Sequence, residues 1–183
     1  QAEEYDFIYP EEPVKLPGEN PLNKEISKKS LDDAADLIAN AKRPFILAGH
    51  GILLSGASKE VIELSEKCDI PLSWTLLGSG AVPASHDLNM GMMGMHGEFA
   101  ANNAIQKADL LIACGMRFDD RVTGNTKTYS LDSKKIHIEI DPTEINKNVP
   151  VDVALVGDLK SVLNKLIPIL NDQKNTEWIK EIE

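Results

Sequence analysis

The sequence contains little cysteine and few aromatic residues. Cys68 and Cys114 are the only two cysteines among 183 residues, and aromatic side chains make up 5% of the chain. Two thiols so far apart, each in apolar surroundings, provide neither a disulfide framework nor a metal-ligand spacing. We therefore expect two reduced core residues, which favours a cytoplasmic location.

Basic residues and long apolar runs are also scarce. Lysine and arginine total 19 against 29 acidic residues, so the net charge is −10 and general binding to nucleic acid or to a membrane surface is not expected. No apolar stretch approaches the roughly 18 to 20 residues that cross a bilayer, and the first residues do not resemble a signal peptide. Because the sequence starts with glutamine, we expect a piece of a longer protein.

The residues that are present suit one α/β domain of ordinary size, with 42% hydrophobic and 26% charged side chains. Residues 1–29 contain four closely spaced prolines, Pro10, Pro13, Pro17 and Pro21. They predict an extended interdomain linker over 1–29. Periodic apolar residues predict a central folded domain over 30–171. Residues 172–183 are predicted to start a C-terminal linker.

Short apolar runs alternate with helical patterns along 30–171. Ser30 is the predicted N-cap of the first helix, Asp158 starts the final one, and the helix over 98–107 is expected to turn Phe99, Ala100, Ala104 and Ile105 inward. Strands are predicted at 45–48, 70–74, 110–114, 136–140 and 153–156, with loops over 78–97 and 116–134. This alternation predicts an α/β fold: a doubly wound, mainly parallel open sheet with helices on both faces, a Rossmann-like arrangement.

The most informative stretch follows the third predicted strand and reads Gly-Met-Arg-Phe-Asp-Asp-Arg-Val-Thr-Gly from Gly115 to Gly124. Ligands of open α/β sheets bind outside the carboxyl ends of the strands. Arginine grips phosphate with a planar fork and stays charged, so Arg117 and Arg121 form a candidate anion site. A solvated loop with an Arg–Asp pair is an equally good interpretation of this stretch alone.

Other predicted strand ends carry weaker signals. Gly49-His50-Gly51 starts like a dinucleotide fingerprint but has Leu54 in place of the third glycine, so a tight turn also explains it. Glu139 at a strand end can accept hydrogen bonds from ribose hydroxyls, or such an acidic group can cap the following turn. Asp158 is expected to cap the last helix and also to face the adenosine end of a ligand.

The turn Gly94-Met95-His96-Gly97 places a flexible thioether and an imidazole just before a helix. Methionines adapt to flat ring systems, although a methionine cluster is more often core filler. His96 has no serine, cysteine or carboxylate spaced to form a triad with it. The other histidines fit no metal pattern, so we predict neither catalytic residues nor metal ligands in this chain.

Together these motifs resemble the acetohydroxyacid synthase (acetolactate synthase) family of thiamine-diphosphate enzymes. The resemblance runs from about residue 21 to 170. It is carried by the turn 94–97, by Ala108-Asp109-Leu110-Leu111-Ile112-Ala113, and most specifically by Arg-Phe-Asp-Asp-Arg-Val-Thr-Gly over 117–124. Weaker matches lie at Lys42-Arg43-Pro44, Gly49-x-Gly51, Pro83-Ala84-Ser85-His86 and His137-Ile138-Glu139-Ile140-Asp141.

The resemblance covers the central domain of such an enzyme, which binds FAD for structure and assembly and not for net redox chemistry. It implies cofactor contacts near the phosphates, the flavin, the ribityl chain and the adenosine. The residues at these positions are Gly49, His50, Gly51, Thr75, Leu76, Met93, Gly94, Met95, His96, Gly115, Arg117, Asp119, Arg121, Val122, Glu139, Ile140, Glu144, Asp158 and Leu159. His50 stands where the family often has glycine or alanine, and Glu139 replaces a common aspartate.

The resemblance also implies what this chain lacks. In the family, thiamine diphosphate and Mg²⁺ are held by separate N-terminal and C-terminal domains, and neither half of that site occurs here. The whole enzyme would condense pyruvate with pyruvate or 2-ketobutyrate in branched-chain amino-acid synthesis, while this piece alone would not catalyse. The implied partners are those missing domains and a second subunit in a homodimer or higher oligomer, with a regulatory subunit as a further candidate.

Two other interpretations stay open at this stage. The chain could be the middle domain of another thiamine-diphosphate carboligase, decarboxylase or oxidase, or a structural module without nucleotide binding. An independent nicotinamide-dependent enzyme has no acid–base constellation here to support it. We further expect apolar surface to be exposed around Leu76, Leu77 and residues 92–95.

Overall fold

A computed structural model describes residues 26–182, so most of the predicted linker 1–29 lies outside the described residues. Six strands alternate with seven helices, in the order α1 (Lys28–Asn40), β1 (Pro44–Ala48), α2 (Gly51–Ser55), α3 (Ser58–Cys68), β2 (Leu72–Trp74), β3 (Asn89–Met92), α4 (Phe99–Lys107), β4 (Leu110–Cys114), α5 (Asp120–Thr123), β5 (Lys134–Glu139), β6 (Val153–Val156), α6 (Leu159–Leu166) and α7 (Thr176–Ile182).

The strands form one sheet in the order β3-β2-β1-β4-β5-β6, and every neighbouring pair is parallel. The predicted α/β doubly wound fold is confirmed, with a sheet that is entirely parallel. The chain builds outward from β1 to β3 and then starts again beside β1 with β4. This reversal between β1 and β4 is the switch point at which sheets of this type open a crevice for ligands.

Alternate residues of the central strands supply two separate cores, because successive side chains of a strand point to opposite faces. Ile46 and Ala48 join the core under α1, α3 and α6. Phe45 and Leu47 join the other core, which includes residues of α4 and α7. The predicted helices on both faces are therefore present, and the sheet is buried between them.

One strand is missing from the sequence prediction. Residues 78–97 were expected to be a loop, but Asn89–Met92 forms the edge strand β3 beside β2. Its residues are methionine, glycine and asparagine, which carry no β-branched signal. Its register with β2 is irregular between Leu72 and Trp74, and all four of its residues are only half-buried.

The start of α1 and the buried face of α4 differ from the sequence prediction. The N-cap of α1 is Ser27, whose side chain accepts a hydrogen bond from the Ser30 amide, so the prediction of Ser30 as the cap was wrong. In α4, Ala101, Ala104 and Ile105 are buried. Phe99 is 85% exposed and Ala100 is also exposed; both were predicted to face inward.

The C-terminal segment continues the fold past residue 171. Helix α7 lies within 172–183, for which the sequence predicts the start of a linker. Its Trp178 is buried in the second core, and the indole Nε1 donates to the Pro44 carbonyl at 3.0 Å. Asn175 reinforces the attachment by donating from its side chain to the Cys68 carbonyl at 2.9 Å.

Candidate functional site

All positions that the resemblance assigns to the cofactor lie at or just beyond the carboxyl ends of the parallel strands. Because parallel strands end on the same side of a sheet, the loops that contain these positions meet along one edge. The loops after β1 and β4 flank the switch point. Those after β2 and β3 lie to one side of it, and those after β5 and β6 to the other. We call this surface the carboxyl edge.

Three glycines pack the two loops at the switch point against each other. The Gly51 amide donates to the Gly115 carbonyl at 2.9 Å, and the Gly49 amide to the Cys114 carbonyl at 2.9 Å. A Cβ on Gly49 would lie 2.3 Å from the Gly115 oxygen. These glycines are therefore required by contact between loops, and the Gly51 amide already has a partner.

The arginine loop, residues 115–124, presents its cations to solvent. The Arg117 side chain is 60% exposed and its Nη2 lies 3.9 Å from Asp119 Oδ2, a loose pair. Asp119 caps the short helix α5, where its side chain accepts from the Arg121 amide at 3.2 Å. Arg121 is also exposed, so both guanidinium groups are accessible at the carboxyl edge.

A buried histidine supports this loop from below. His137, on β5, is fully buried, and its Nε2 lies 2.8 Å from the Met116 carbonyl. Since a carbonyl only accepts, Nε2 carries the proton. Phe118 contacts the imidazole edge-on at 5.1 Å between ring centroids. Burial lowers the pKa of His137, against the opposing effects of the Met116 carbonyl, Glu139 and Glu144.

The turn after β3 is tied to the arginine loop through its backbone. The Met95 amide donates to the Arg121 carbonyl at 2.8 Å. Met95 is 67% exposed and His96 is exposed, whereas Met93 is 3% exposed and packs in the second core. Met93 can therefore meet a ligand only through its backbone. Asn102, which the sequence analysis did not single out, also contacts this turn.

The loop after β2 combines a fixed start with an exposed apolar tip. Thr75 is buried, and its Oγ1 accepts from the Gly78 amide at 3.1 Å. Leu76 and Leu77 are 67% and 63% exposed, as the sequence predicts. Met92 is half-buried and Met93 buried, so the exposed apolar surface covers only part of the predicted segment 92–95.

The carboxylates at the end of β5 and beyond β5 and β6 already have local partners. Glu139 Oε1 accepts from the Ile140 amide at 2.9 Å, and Glu144 pairs with Lys147 at 2.6 Å. Asp158 is the N-cap of α6, where it accepts from the Ser161 amide. The capping interpretation of Asp158 is therefore confirmed. Leu159 is buried, while Ile140 is 43% exposed.

A cavity of about 290 Å³ lies behind the turn after β3, between α4 and the arginine loop. Tyr129 lines it, and its buried hydroxyl has no hydrogen-bond partner among residues 26–182. Polar and charged groups make up much of the remaining lining, including Asn102, Gln106, Asp120, Arg121 and Thr123. The cavity thus adjoins the carboxyl edge.

The described residues form neither a metal cluster nor a membrane-spanning helix. Within 26–182, no three His, Cys, Asp or Glu side chains gather closely enough to hold a metal ion. Over the same part of the chain, no helix has both the length and the apolar composition needed to cross a membrane.

Comparison with known proteins agrees with this geometry. Residues 31–166 match the family described as "Thiamine pyrophosphate enzyme, central domain". The chain belongs to this family.

Individual relatives carry more specific names. The chain is 45% identical to a protein of Methanococcus aeolicus named "Probable acetolactate synthase large subunit", over 92% of this chain and 30% of that protein. A protein of the same name from Methanocaldococcus jannaschii is 49% identical over 86% of this chain and 26% of the relative. The "Acetolactate synthase large subunit" of Corynebacterium glutamicum is 42% identical over 99% of this chain and 29% of that protein. The chain spans less than a third of the length of each of these relatives.

Proposed function

We propose that this chain is the FAD-binding central domain of an acetolactate synthase. The observation that carries the proposal is the pair of exposed arginines, Arg117 and Arg121, on the arginine loop beside the switch point. Identity of 42 to 49% to proteins named acetolactate synthase large subunit favours this enzyme over another member of the family.

The residues of the carboxyl edge fit an extended flavin dinucleotide. The two guanidinium groups suit a diphosphate, which they can grip bidentately. The exposed apolar side chains of Leu76 and Met95 suit the flat isoalloxazine ring. Glu139 retains its Oε2 oxygen for a ribose hydroxyl because only Oε1 is engaged by backbone amides. Bound there, FAD would supply order to these loops and no net redox step.

We propose that the complete protein condenses pyruvate with pyruvate or 2-ketobutyrate. Thiamine diphosphate and Mg²⁺ would be held by N-terminal and C-terminal domains outside this chain. Assembly as a homodimer or higher oligomer, with a regulatory subunit as a further partner, belongs to the same proposal. The two buried, unpaired thiols suit a reducing compartment such as the cytoplasm.

Measuring FAD affinity tests the proposal. In the complete protein, isothermal titration and flavin fluorescence should detect FAD binding. An Arg117→Ala, Arg121→Ala double variant should bind at least about 100-fold more weakly, because each charge-assisted contact contributes about 1.5 to 3 kcal/mol. Arg43 is the matched control, since it is exposed and directly precedes β1 at the opposite edge of the sheet. Arg43→Ala should bind FAD like the wild type.

One observation favours a structural module without nucleotide as the second candidate. The Gly51 amide and the Asp158 carboxylate, both candidates for cofactor contact, already hydrogen-bond within the protein. Failure of the wild type to bind FAD at concentrations near 1 mM, an affinity worth only about 4 kcal/mol, would support this candidate and contradict the flavin site.

A further inference from the structure

Asn102 makes a two-way contact with the backbone of the turn after β3. Its Oδ1 accepts from the Gly94 amide at 2.9 Å, and its Nδ2 donates to the Gly94 carbonyl at 2.9 Å. An amide donor and a carbonyl acceptor fix which end of the side chain faces which atom. Asn102 lies near the start of α4 and is half-buried, so the contact is partly shielded from water.

The opposite side of the same turn is held by the arginine loop. Gly94 has φ +96°, and a Cβ there would lie 2.7 Å from the Arg121 carbonyl oxygen. That oxygen accepts from the Met95 amide at 2.8 Å. The turn is thus clamped between Asn102 and Arg121, and Met95 and His96 extend from the clamp as exposed side chains.

We propose, on the basis of the flavin site proposed above, that Asn102 is a positioning residue for that site. It holds Gly94 in place, and through the Met95–Arg121 hydrogen bond it couples the turn to the arginine loop. Without the side-chain amide, the Gly94 amide loses its partner, the Gly94 carbonyl keeps only the Gly97 amide as a donor, and the turn loosens. Met95 and Arg121 then no longer keep a common geometry toward a bound cofactor.

Hydrogen exchange tests the clamp without reference to FAD. In the complete protein, exchange of the Gly94 and Met95 amides should become at least about 10-fold faster in Asn102→Ala, the loss expected when two neutral hydrogen bonds are removed. The matched control is Asn103→Ala, because Asn103 is the adjacent asparagine of α4 and is exposed. It should exchange like the wild type. Unchanged protection in Asn102→Ala would overturn the clamp.

A pH series tests the positioning role. In Asn102→Asp an ionised carboxylate still accepts from the Gly94 amide but repels the Gly94 carbonyl, whereas protonation restores a donor. At pH 8, where an ordinary aspartate with a pKa of about 3.9 is ionised, Asn102→Asp should therefore bind FAD about 10-fold more weakly than the wild type, and the ratio of the two Kd values should fall as acid protonates the carboxylate. In Asn102→Ala the ratio should stay high at every pH. The aspartate in Asn102→Asp is close in size to the asparagine that it replaces. The test therefore remains possible even if Asn102→Ala fails to fold.

The outcomes separate the two proposals. Wild-type protein that binds no FAD contradicts the proposed function, and the exchange measurement still decides the clamp. If the wild type binds FAD and Asn102→Ala binds it equally well, the positioning role is overturned. A wild-type Kd for Asn102→Asp at pH 8 also overturns it.

Discussion

At the scale of single residues, His137 links the core to the arginine loop. With its proton on Nε2 directed at the Met116 carbonyl, Nδ1 is left as a bare acceptor that is buried and has no hydrogen-bond partner among residues 26–182. A second proton on Nδ1 would place a positive charge in this apolar surrounding, which is unfavourable. Glu139 Oε2 lies 4.0 Å from the His137 Nε2 and favours the charged imidazole. It offsets the cost of burial only in part, because the pKa of His137 is lowered overall.

His137 should make stability fall in mildly acidic solution. Its folded pKa lies below the ordinary value of 6.5, so below that pH the unfolded chain takes up a proton that the folded protein does not. The free energy of unfolding therefore decreases as pH falls from about 7 to 5, with a slope of at most about 1.4 kcal/mol per pH unit from this group. Urea unfolding at several pH values measures the slope.

The variant His137→Gln should remove this contribution, because its amide can still donate to Met116 but does not titrate near neutral pH. His50→Gln is the matched control: His50 is exposed in the folded protein, so it meets water in both states and the slope should stay. A His137→Gln variant with the wild-type slope would contradict the assignment.

Gly49 should tolerate no side chain. The Cβ of Gly49→Ala would lie 2.3 Å from the Gly115 oxygen and 2.4 Å from Met116 Cβ, so the loops at the switch point must separate. We expect a loss of about 1 to 3 kcal/mol or more in the free energy of unfolding. In the control Gly157→Ala the nearest atom is 3.6 Å away, and urea unfolding should change by less than about 1 kcal/mol. Equal effects would contradict the close approach.

At the scale of elements, sequence patterns located the helices and strands that bury an apolar face. Strands β1 and β4 are continuous apolar runs with every residue buried, which is typical of central parallel strands. β3 was missed because an edge strand needs little apolar pattern, and its pairing with β2 is decided by backbone contact. The short helix α7 was missed because one buried tryptophan in a polar segment is a weak signal.

Trp178 should account for much of the attachment of α7. Trp178→Ala removes a buried indole and its hydrogen bond to Pro44, which should lower the free energy of unfolding by about 3 to 5 kcal/mol. Phe99→Ala is the control, because that aromatic side chain is 85% exposed and its loss should cost less than about 0.5 kcal/mol. Thermal and urea unfolding of the 183-residue chain measure both. A tryptophan variant as stable as the control would show that α7 is not integral to the fold.

At the scale of the whole molecule, the two cysteines report on the integrity of the sheet and its helices. Cys114 ends the central strand β4, and Cys68 ends α3 on one face. Both are free and buried. Burial raises the pKa of Cys114 to about 12 and, chiefly by the same cause, that of Cys68 to about 11. Neither thiol is therefore accessible or ionised in the folded protein near neutral pH.

A thiol reagent should label the protein only on unfolding. In native buffer at pH 8 we expect no rapid reaction with a chromogenic disulfide, because the thiolate is the reactive form. In guanidinium chloride both thiols should react. Cys68→Ala and Cys114→Ala variants assign each signal. Fast labelling of one thiol in native buffer would show that α3 or β4 opens locally.

The sequence alone determined the fold class, because the alternation of buried apolar runs with helical periodicity is a local property of the chain. It also located the arginine loop, whose composition is unusual at any position. What only the tertiary structure decided is which groups are already engaged. Gly49 and Gly51 meet Gly115, residues more than 60 positions away in the sequence.

The partner of His137 depends on tertiary structure in the same way, whereas Asn102 finds its partner only eight residues away in the sequence. Asn102 reaches back to Gly94 from the following helix, and His137 reaches the Met116 carbonyl from a neighbouring strand. Hydrogen bonds and close approaches between distant segments depend on how the strands are ordered in the sheet. That order, with its reversal between β1 and β4, is decided by the packing of the whole chain, and no single motif predicts it.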